Sequence, residues 1–184
     1  MRSGKIKVFE RGDICADRTL ASACLPFLFQ AVEIEGEHYW DGGYMDNQAL
    51  FPLIYKCESR DIVVVHFNPL YREKLPRTAT EVMNRVNEIS FNSSLMRKMR
   101  AIAFVTRLID DGKVQGDELR RLYIHSISAE REMSKPGVAS KFNGDWMFLT
   151  HLRDAGRQHA EAWLAENYDR LGRESTVDIR QRYL

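Results

Sequence analysis

The segment Asp61–Phe67, DIVVVHF, decides the fold of this chain. Its apolar residues run without alternation, and most of them are β-branched. Such a run is typical of a strand buried on both faces of a parallel sheet. Each parallel neighbour needs a crossover of about a dozen residues or more. The stretch before Ile62 has little room for such units, so we expect an α/β fold whose sheet lacks its first half in this chain.

Downstream, the sequence changes to helical periodicity. Thr78 and Glu81 form the Thr-x-x-Glu pattern of a capping box, which predicts the start of a long helix ending at Asp111-Gly112. The triplet 92–94, NSS, is a candidate kink or break within it. We therefore place a boundary near residue 75, between an α/β portion at 1–75 and a helix-rich extension at 76–184.

The extension is expected to contain one more strand and a final helix. The segment 121–128, RLYIHSIS, predicts the strand. Residues from about 145 to 168 carry an apolar stripe from Trp146 to Trp163, which predicts a helix. This stripe is interpreted as core or as a contact with another subunit.

Upstream of the valine run, short elements precede a glycine corner. The segment 5–9, KIKVF, alternates and predicts a strand, and 17–24 predicts a helix capped by Asp17. The segment 31–40, AVEIEGEHYW, predicts a β-hairpin turning at Glu35-Gly36. Asp41-Gly42-Gly43 ends the hairpin, and a short helix with Asn47 near its cap is expected to follow.

Composition excludes several classes of function. The 184 residues carry a net charge of +1, which gives no support to nucleic-acid binding. The longest apolar runs are too short to cross a bilayer, and the N-terminal residues lack the apolar stretch of a secretory signal. The three scattered cysteines fit reduced thiols in the cytoplasm better than disulfides or a zinc site.

Asp41 is the candidate catalytic residue. Aspartate and glycine are ordinary turn formers, so the triplet alone favours a structural role. An acid at a strand end followed by glycines can also project into a cleft, where a substrate can approach closely. A carboxylate in that position can serve as the base for a neighbouring hydroxyl.

The segment 20–55, LASACLPFLFQAVEIEGEHYWDGGYMDNQALFPLIY, resembles the C-terminal part of the patatin-like phospholipase domain. In that family an Ala-Ser-containing helix end, a hairpin, Asp-Gly-Gly and an asparagine follow in this order. The resemblance implies that Asp41 is the base of a Ser–Asp dyad and that Ala21, Ser22 and Pro26 lie on the preceding segment. DIVVVHF resembles the buried strand that follows, and residues 76–184 resemble the C-terminal extension of a bacterial subgroup.

The nucleophile of the family is missing from the chain. That serine lies in G-x-S-x-G, and no such motif occurs here. The one pair of glycines four residues apart, Gly112 and Gly116, encloses Val114. No glycine-rich oxyanion loop occurs either, and Gln48 stands where the family often has proline. The chain alone is therefore predicted to be inactive.

Other candidate residues have weaker support. Ser22 lacks an elbow and oxyanion donors, so it is a poor substitute nucleophile. His66 is interpreted as a hydrogen-bonded core or rim residue. The trio of His38, Asp41 and Asp46 matches no familiar metal site, and an acidic loop is favoured.

Two further groups of residues have a functional and a structural interpretation. Three aromatic residues flank Asp41 and either line an acyl pocket, touch a lipid surface or pack on the sheet; they are Tyr39, Trp40 and Tyr44. Five basic residues of the long helix either meet anionic lipid headgroups or, as the interspersed acids favour, form a solvated face. They are Arg85, Arg97, Lys98, Arg100 and Arg107.

Two functions stay open at this point. The leading one is the C-terminal portion of a patatin-like serine lipid acyl hydrolase that uses a Ser–Asp dyad. The other is a non-catalytic binding or oligomerisation module that retains a relic Asp-Gly-Gly corner. The expected partners are a lipid or ester substrate and either a second copy or the missing N-terminal half. No metal or organic cofactor is implied, and the expected location is the cytoplasm or a peripheral membrane surface.

Overall fold

The computed structural model describes residues 1–26, 28–66, 68–114, 119–129, 140 and 143–184. The chain forms two compact units, Met1–Cys57 and Glu58–Leu184. Helices and strands are mixed, in agreement with the predicted α/β class. The valine-rich strand lies in the second unit, and the domain boundary near residue 75 stays a prediction.

The first unit is built from short elements. A 3₁₀ turn, Arg11–Asp13, and helix α1, Ala16–Ser22, precede strands β1, Val32–Ile34, and β2, Glu37–Tyr39. Helices α2, Gly43–Asp46, and α3, Phe51–Lys56, follow.

The predicted hairpin is confirmed. Strands β1 and β2 pair antiparallel, with Val32 opposite Tyr39. The two turn residues, Glu35 and Gly36, have φ angles of 55° and 77°. Positive φ at both central positions matches the twist of a two-residue hairpin, and glycine adopts it without steric cost.

Three predictions for this unit are wrong. Helix α1 begins after Cys15, so Asp17 lies in its first turn instead of capping it. Residues 5–9 are not a strand, because no neighbouring segment pairs with them among the described residues. The Phe9 ring instead packs edge-on against Tyr39, at a centroid distance of 5.6 Å. Asn47 ends α2 instead of capping the next helix, which begins after Leu50.

The second unit is a parallel βαβ arrangement. Strands β3, Asp61–His66, and β4, Tyr123–Ser128, pair in parallel and are connected through α4, Ala79–Asp110. Helix α5, Trp146–Asn167, a 3₁₀ turn, Tyr168–Arg170, and helix α6, Ile179–Tyr183, complete the unit. The predicted parallel pairing, final helix and additional strand are confirmed; Phe67, the predicted end of β3, lies outside the described residues.

Helix α4 begins and ends as predicted. The hydroxyl of Thr78 accepts a hydrogen bond from the Glu81 amide at 3.2 Å, and the Glu81 carboxylate accepts one from the Thr78 amide at 3.0 Å. Gly112, with a φ of 65°, follows the last turn. The helix is not broken at 92–94, and the hydroxyls of Ser93 and Ser94 donate hydrogen bonds to carbonyls of the same helix.

The expectation that β3 is buried on both faces is wrong. Ile62, Val64 and His66 are buried, whereas Val63 and Val65 are 44% and 61% exposed. Within the described residues, β4 is the sole hydrogen-bonded neighbour of β3. The strand therefore has one buried face and one largely bare face.

The apolar core of the second unit lies on the buried face of this sheet. It joins side chains of both strands to the second half of α4 and to the C-terminal helix. Its most buried members are Ile62, Val64, Leu95, Met99, Ile124 and Tyr183.

The stripe of α5 is only partly packed. Trp163 is half-buried and meets the ring of His125 edge-on, at a centroid distance of 5.9 Å. Trp146 and Leu149, at the other end, are exposed. The interpretation of the whole stripe as core is therefore wrong, because the helix contacts β4 through its C-terminal half.

Candidate functional site

Asp41 lies at the end of β2 in a defined local geometry. Its amide donates a hydrogen bond to the Cys24 carbonyl at 2.8 Å, which ties the corner to the end of α1. Its carboxylate oxygen Oδ1 accepts the Gly43 amide at 2.7 Å. The residue is half-buried. The Asp41 amide and the Oδ1 atom of its carboxylate are thus both hydrogen-bonded to backbone groups. The second carboxylate oxygen takes no part in the Gly43 contact.

The segment that meets the corner is itself fixed. The thiol of Cys24 donates to the Gln30 carbonyl at 3.1 Å, and the indole N–H of Trp40 donates to the Phe29 carbonyl at 3.3 Å. Residues 24 and 28–30 therefore lie beside residues 39–41 at the Asp41 corner. Asp41 is therefore positioned by hydrogen bonds between nearby segments of the chain and not by burial in a core.

The backbone at Gln48 explains one departure from the family pattern. Its φ is 65°, in the left-handed region. A proline ring fixes φ near −65°, so proline cannot adopt this conformation. The backbone conformation at residue 48 therefore differs from the conformation that a proline would adopt there.

Ser22 has a local structural role. It is exposed, and its hydroxyl donates to the Thr19 carbonyl at 2.8 Å within α1. A hydroxyl that donates its hydrogen bond within its own helix has a local structural role, in keeping with Ser22 as a poor substitute nucleophile.

The histidines considered as site residues do not join Asp41. His66 is buried in the second unit, with its Nε2 atom 3.3 Å from Oδ1 of Asn92, which confirms the core interpretation. His38 faces Glu33 at 3.9 Å on the hairpin. In the part of the chain that the structure describes, no three acidic, histidine or cysteine side chains form a metal-binding group.

The basic residues of α4 divide into two groups. Arg97, Arg100 and Arg107 are exposed, as the solvated-face interpretation expects. Arg85 is different: it bonds to the carbonyls of Pro69 and Leu70 and pairs with Glu88. It anchors the loop after β3, so for this residue the interpretation is wrong.

No sequence pattern predicts the polar network that the second unit contains. Nε2 of the fully buried His125 lies 2.9 Å from Oδ1 of Asp61, and its Nδ1 lies 3.2 Å from Oγ1 of Thr176. The Gly172 amide also donates to Asp61, at 2.8 Å. These residues are far apart in the chain, and only the βαβ topology brings them together.

This network makes the stability of the protein depend on pH. Burial alone would raise the pKa of Asp61, but hydrogen bonds from Gly172 and His125 and the charge of His125 lower it below its ordinary value of 3.8. A lowered folded-state pKa stabilises the protein above the unfolded value, and that stabilisation is lost as the pH falls through the folded value.

We expect Asp61→Asn to flatten the acid side of the stability curve. Urea unfolding from neutral pH to below 3.8 should show the parent losing more of its unfolding free energy than this variant. Asp169→Asn, at an exposed carboxylate, is the control and should follow the parent. Parallel acid limbs for the parent and Asp61→Asn would contradict the assignment.

The match to a known family falls on the segment that carries Asp41. Residues 7–54 match the family model of the patatin-like phospholipase, which confirms the resemblance for roughly a quarter of the chain. This segment is therefore similar to a family of lipid hydrolases. No curated protein and no solved structure matches the chain. No described helix has the length and apolar character needed to cross a membrane.

Proposed function

We propose that the chain is the C-terminal portion of a patatin-like serine lipid acyl hydrolase, with Asp41 as the base of its Ser–Asp dyad. The observation that carries the proposal is the fixed Asp41 corner inside the family-matched segment. The serine, in a G-x-S-x-G elbow, belongs to a complementary segment. Catalysis then proceeds through an acyl-enzyme, as in other serine hydrolases.

In both halves of the proposed reaction this chain supplies the base, Asp41. The serine oxygen of the complementary segment attacks the ester carbonyl, and Asp41 accepts its proton. The alcohol leaves with the proton that Asp41 took from the serine, and an acyl-serine remains. Water then attacks the acyl-serine while Asp41 accepts a proton from it, and Asp41 returns this proton to the serine oxygen as the fatty acid is released.

The thin core of the first unit supports the idea of a larger catalytic domain. Among its described residues, three apolar side chains are buried: Ala21, Cys24 and Leu50. Small domains bury a lower fraction of their surface and are marginally stable, so a unit of this size gains from additional packing. A complementary segment would supply such a surface.

The bare side of β3 supports the proposal independently. Parallel sheets occur almost only with both faces covered, whereas Val63 and Val65 are exposed and β4 is the single partner strand in the described chain. The edge of β3 opposite to β4 has no partner strand among the described residues, so it is open to pairing with a further strand.

A non-catalytic binding or oligomerisation module is the second candidate. Apolar side chains at helical spacing, Val82, Val86 and Ile89, are exposed on the first half of α4. Such a stripe fits a docking helix. This candidate requires no chemistry at Asp41.

Complementation tests the two functions. The chain alone, a separately expressed patatin-like segment carrying G-x-S-x-G, and their mixture are assayed on a short-chain nitrophenyl ester. We expect hydrolysis in the mixture and none with either component. Hydrolysis by the chain alone would refute the missing nucleophile, and silence from a mixture shown to associate would favour the binding module.

A further inference from the structure

Five exposed side chains surround the Asp41 corner. They lie on segments 28–29 and 40–45, which the contacts of Trp40 and Asp41 hold side by side. Each is between 38% and 59% exposed. We call this set the apolar collar: Leu28, Phe29, Trp40, Tyr44 and Met45.

The composition of the apolar collar is unusual for a water-exposed surface. Large apolar side chains scattered singly are normal, but a contiguous group marks an interaction site. Two of the five are Trp and Tyr, which favour the boundary between lipid and water because they combine an apolar body with a polar tip. Trp40 precedes the acid directly, Tyr44 and Met45 follow its two glycines, and Phe29 is joined to Trp40 by a hydrogen bond.

The charged residues of the first unit indicate which lipid headgroups the collar would contact. Between Arg18 and Lys56 the chain has no lysine or arginine, and residues 1–57 carry six basic and eight acidic side chains. Basic residues are what draw proteins to anionic lipids. The collar segments contain none, and Arg2 and Arg18, which reach the neighbouring hairpin, are paired with acidic side chains. Insertion of the collar would therefore rely on apolar burial, without a preference for negative headgroups.

We propose that the apolar collar is the lipid-contacting surface of the protein and that it docks on zwitterionic lipid interfaces. This inference rests on the proposed function, because it places a lipid substrate beside Asp41. Insertion of the collar would bring acyl esters to the acid without transferring them through bulk water. The energy comes from apolar area removed from water, so salt should have little effect on it.

Vesicle binding tests the collar with a matched control. Flotation with phosphatidylcholine vesicles is compared for the parent, the collar variant Phe29→Ser/Met45→Ser and the control Met83→Ser/Phe104→Ser. The control pair lies on α4, has the same two residue types and is exposed by 63% and 51%, close to the 58% and 59% of the collar methionine and phenylalanine. We expect the collar variant to bind at least about tenfold more weakly and the control to bind as the parent does.

Fluorescence provides the second measurement. Brominated phosphatidylcholine should quench the tryptophan emission of the parent and of Trp146→Phe, and the quenching should disappear in Trp40→Phe. This readout does not depend on the folding of the double variant.

Several results would overturn the proposal. They are no binding by the parent, equal weakening in the control, binding that requires anionic lipid, and quenching that depends on Trp146. Loss of vesicle binding on adding the complementary hydrolase segment would assign the apolar collar to a protein interface instead. Vesicle binding does not require hydrolysis. A negative complementation assay would therefore count against the proposed hydrolase and leave the vesicle result to decide on the collar.

Discussion

Asp41→Asn is expected to abolish the hydrolysis that appears on complementation. Asparagine keeps an oxygen that can accept the Gly43 amide, now at 2.7 Å from the carboxylate, so the corner should persist. It cannot take a proton from serine. Removing a general base costs about 10²- to 10⁴-fold in rate. Initial rates on the nitrophenyl ester, at saturating complementary segment, measure this loss.

The control separates chemistry from folding. Asp17→Asn changes an exposed carboxylate in the first turn of α1, in the same unit, and should retain the activity of the parent. Circular dichroism and association with the complementary segment should be unchanged in both variants. An active Asp41→Asn mixture would remove Asp41 from the dyad and leave the corner as a turn.

Met99→Ala should produce the largest loss of stability among single changes in α4. The Met99 side chain is fully buried, at 0% exposure, and packs in the core of the second unit. Truncating a buried methionine to alanine leaves a cavity and costs about 2–5 kcal/mol. Urea unfolding, followed by circular dichroism, measures the unfolding free energy.

Met83→Ala is the matched control for this measurement. It makes the same chemical change in the same helix, at a position that is 63% exposed. Helix propensity changes equally at both sites, so the difference between the variants isolates burial. We expect Met83→Ala to stay within about 0.5 kcal/mol of the parent. Equal losses would mean that the second half of α4 is not packed as described.

Local patterns predicted the elements of this protein well. The hairpin turn at Glu35-Gly36, the capping box at Thr78 and the end of α4 each depend on a few adjacent residues. The Asp-Gly-Gly corner was recognised for the same reason, and the family match covers it. These patterns do not show whether Asp41 acts as a base. The complementation assay with Asp41→Asn tests that role.

Sequence periodicity failed where a side chain depends on distant neighbours. The segment 5–9 alternates like a strand, but a strand needs a partner, and Phe9 packs on Tyr39 instead. The valine run of β3 correctly predicted parallel pairing, yet burial on both faces requires a second layer that α5 provides over His125 and not over Val65.

The sequence by itself determined the hairpin turn, the capping box of α4, the parallel strand and the acid of the corner, because each is governed by conformational preferences within a few residues. Only the tertiary structure decided which valines are bare, which end of α5 is packed and that Asp61, His125 and Thr176 meet. The physical reason is that burial and long-range hydrogen bonds depend on which surfaces the parallel crossover brings together. No local pattern carries that information.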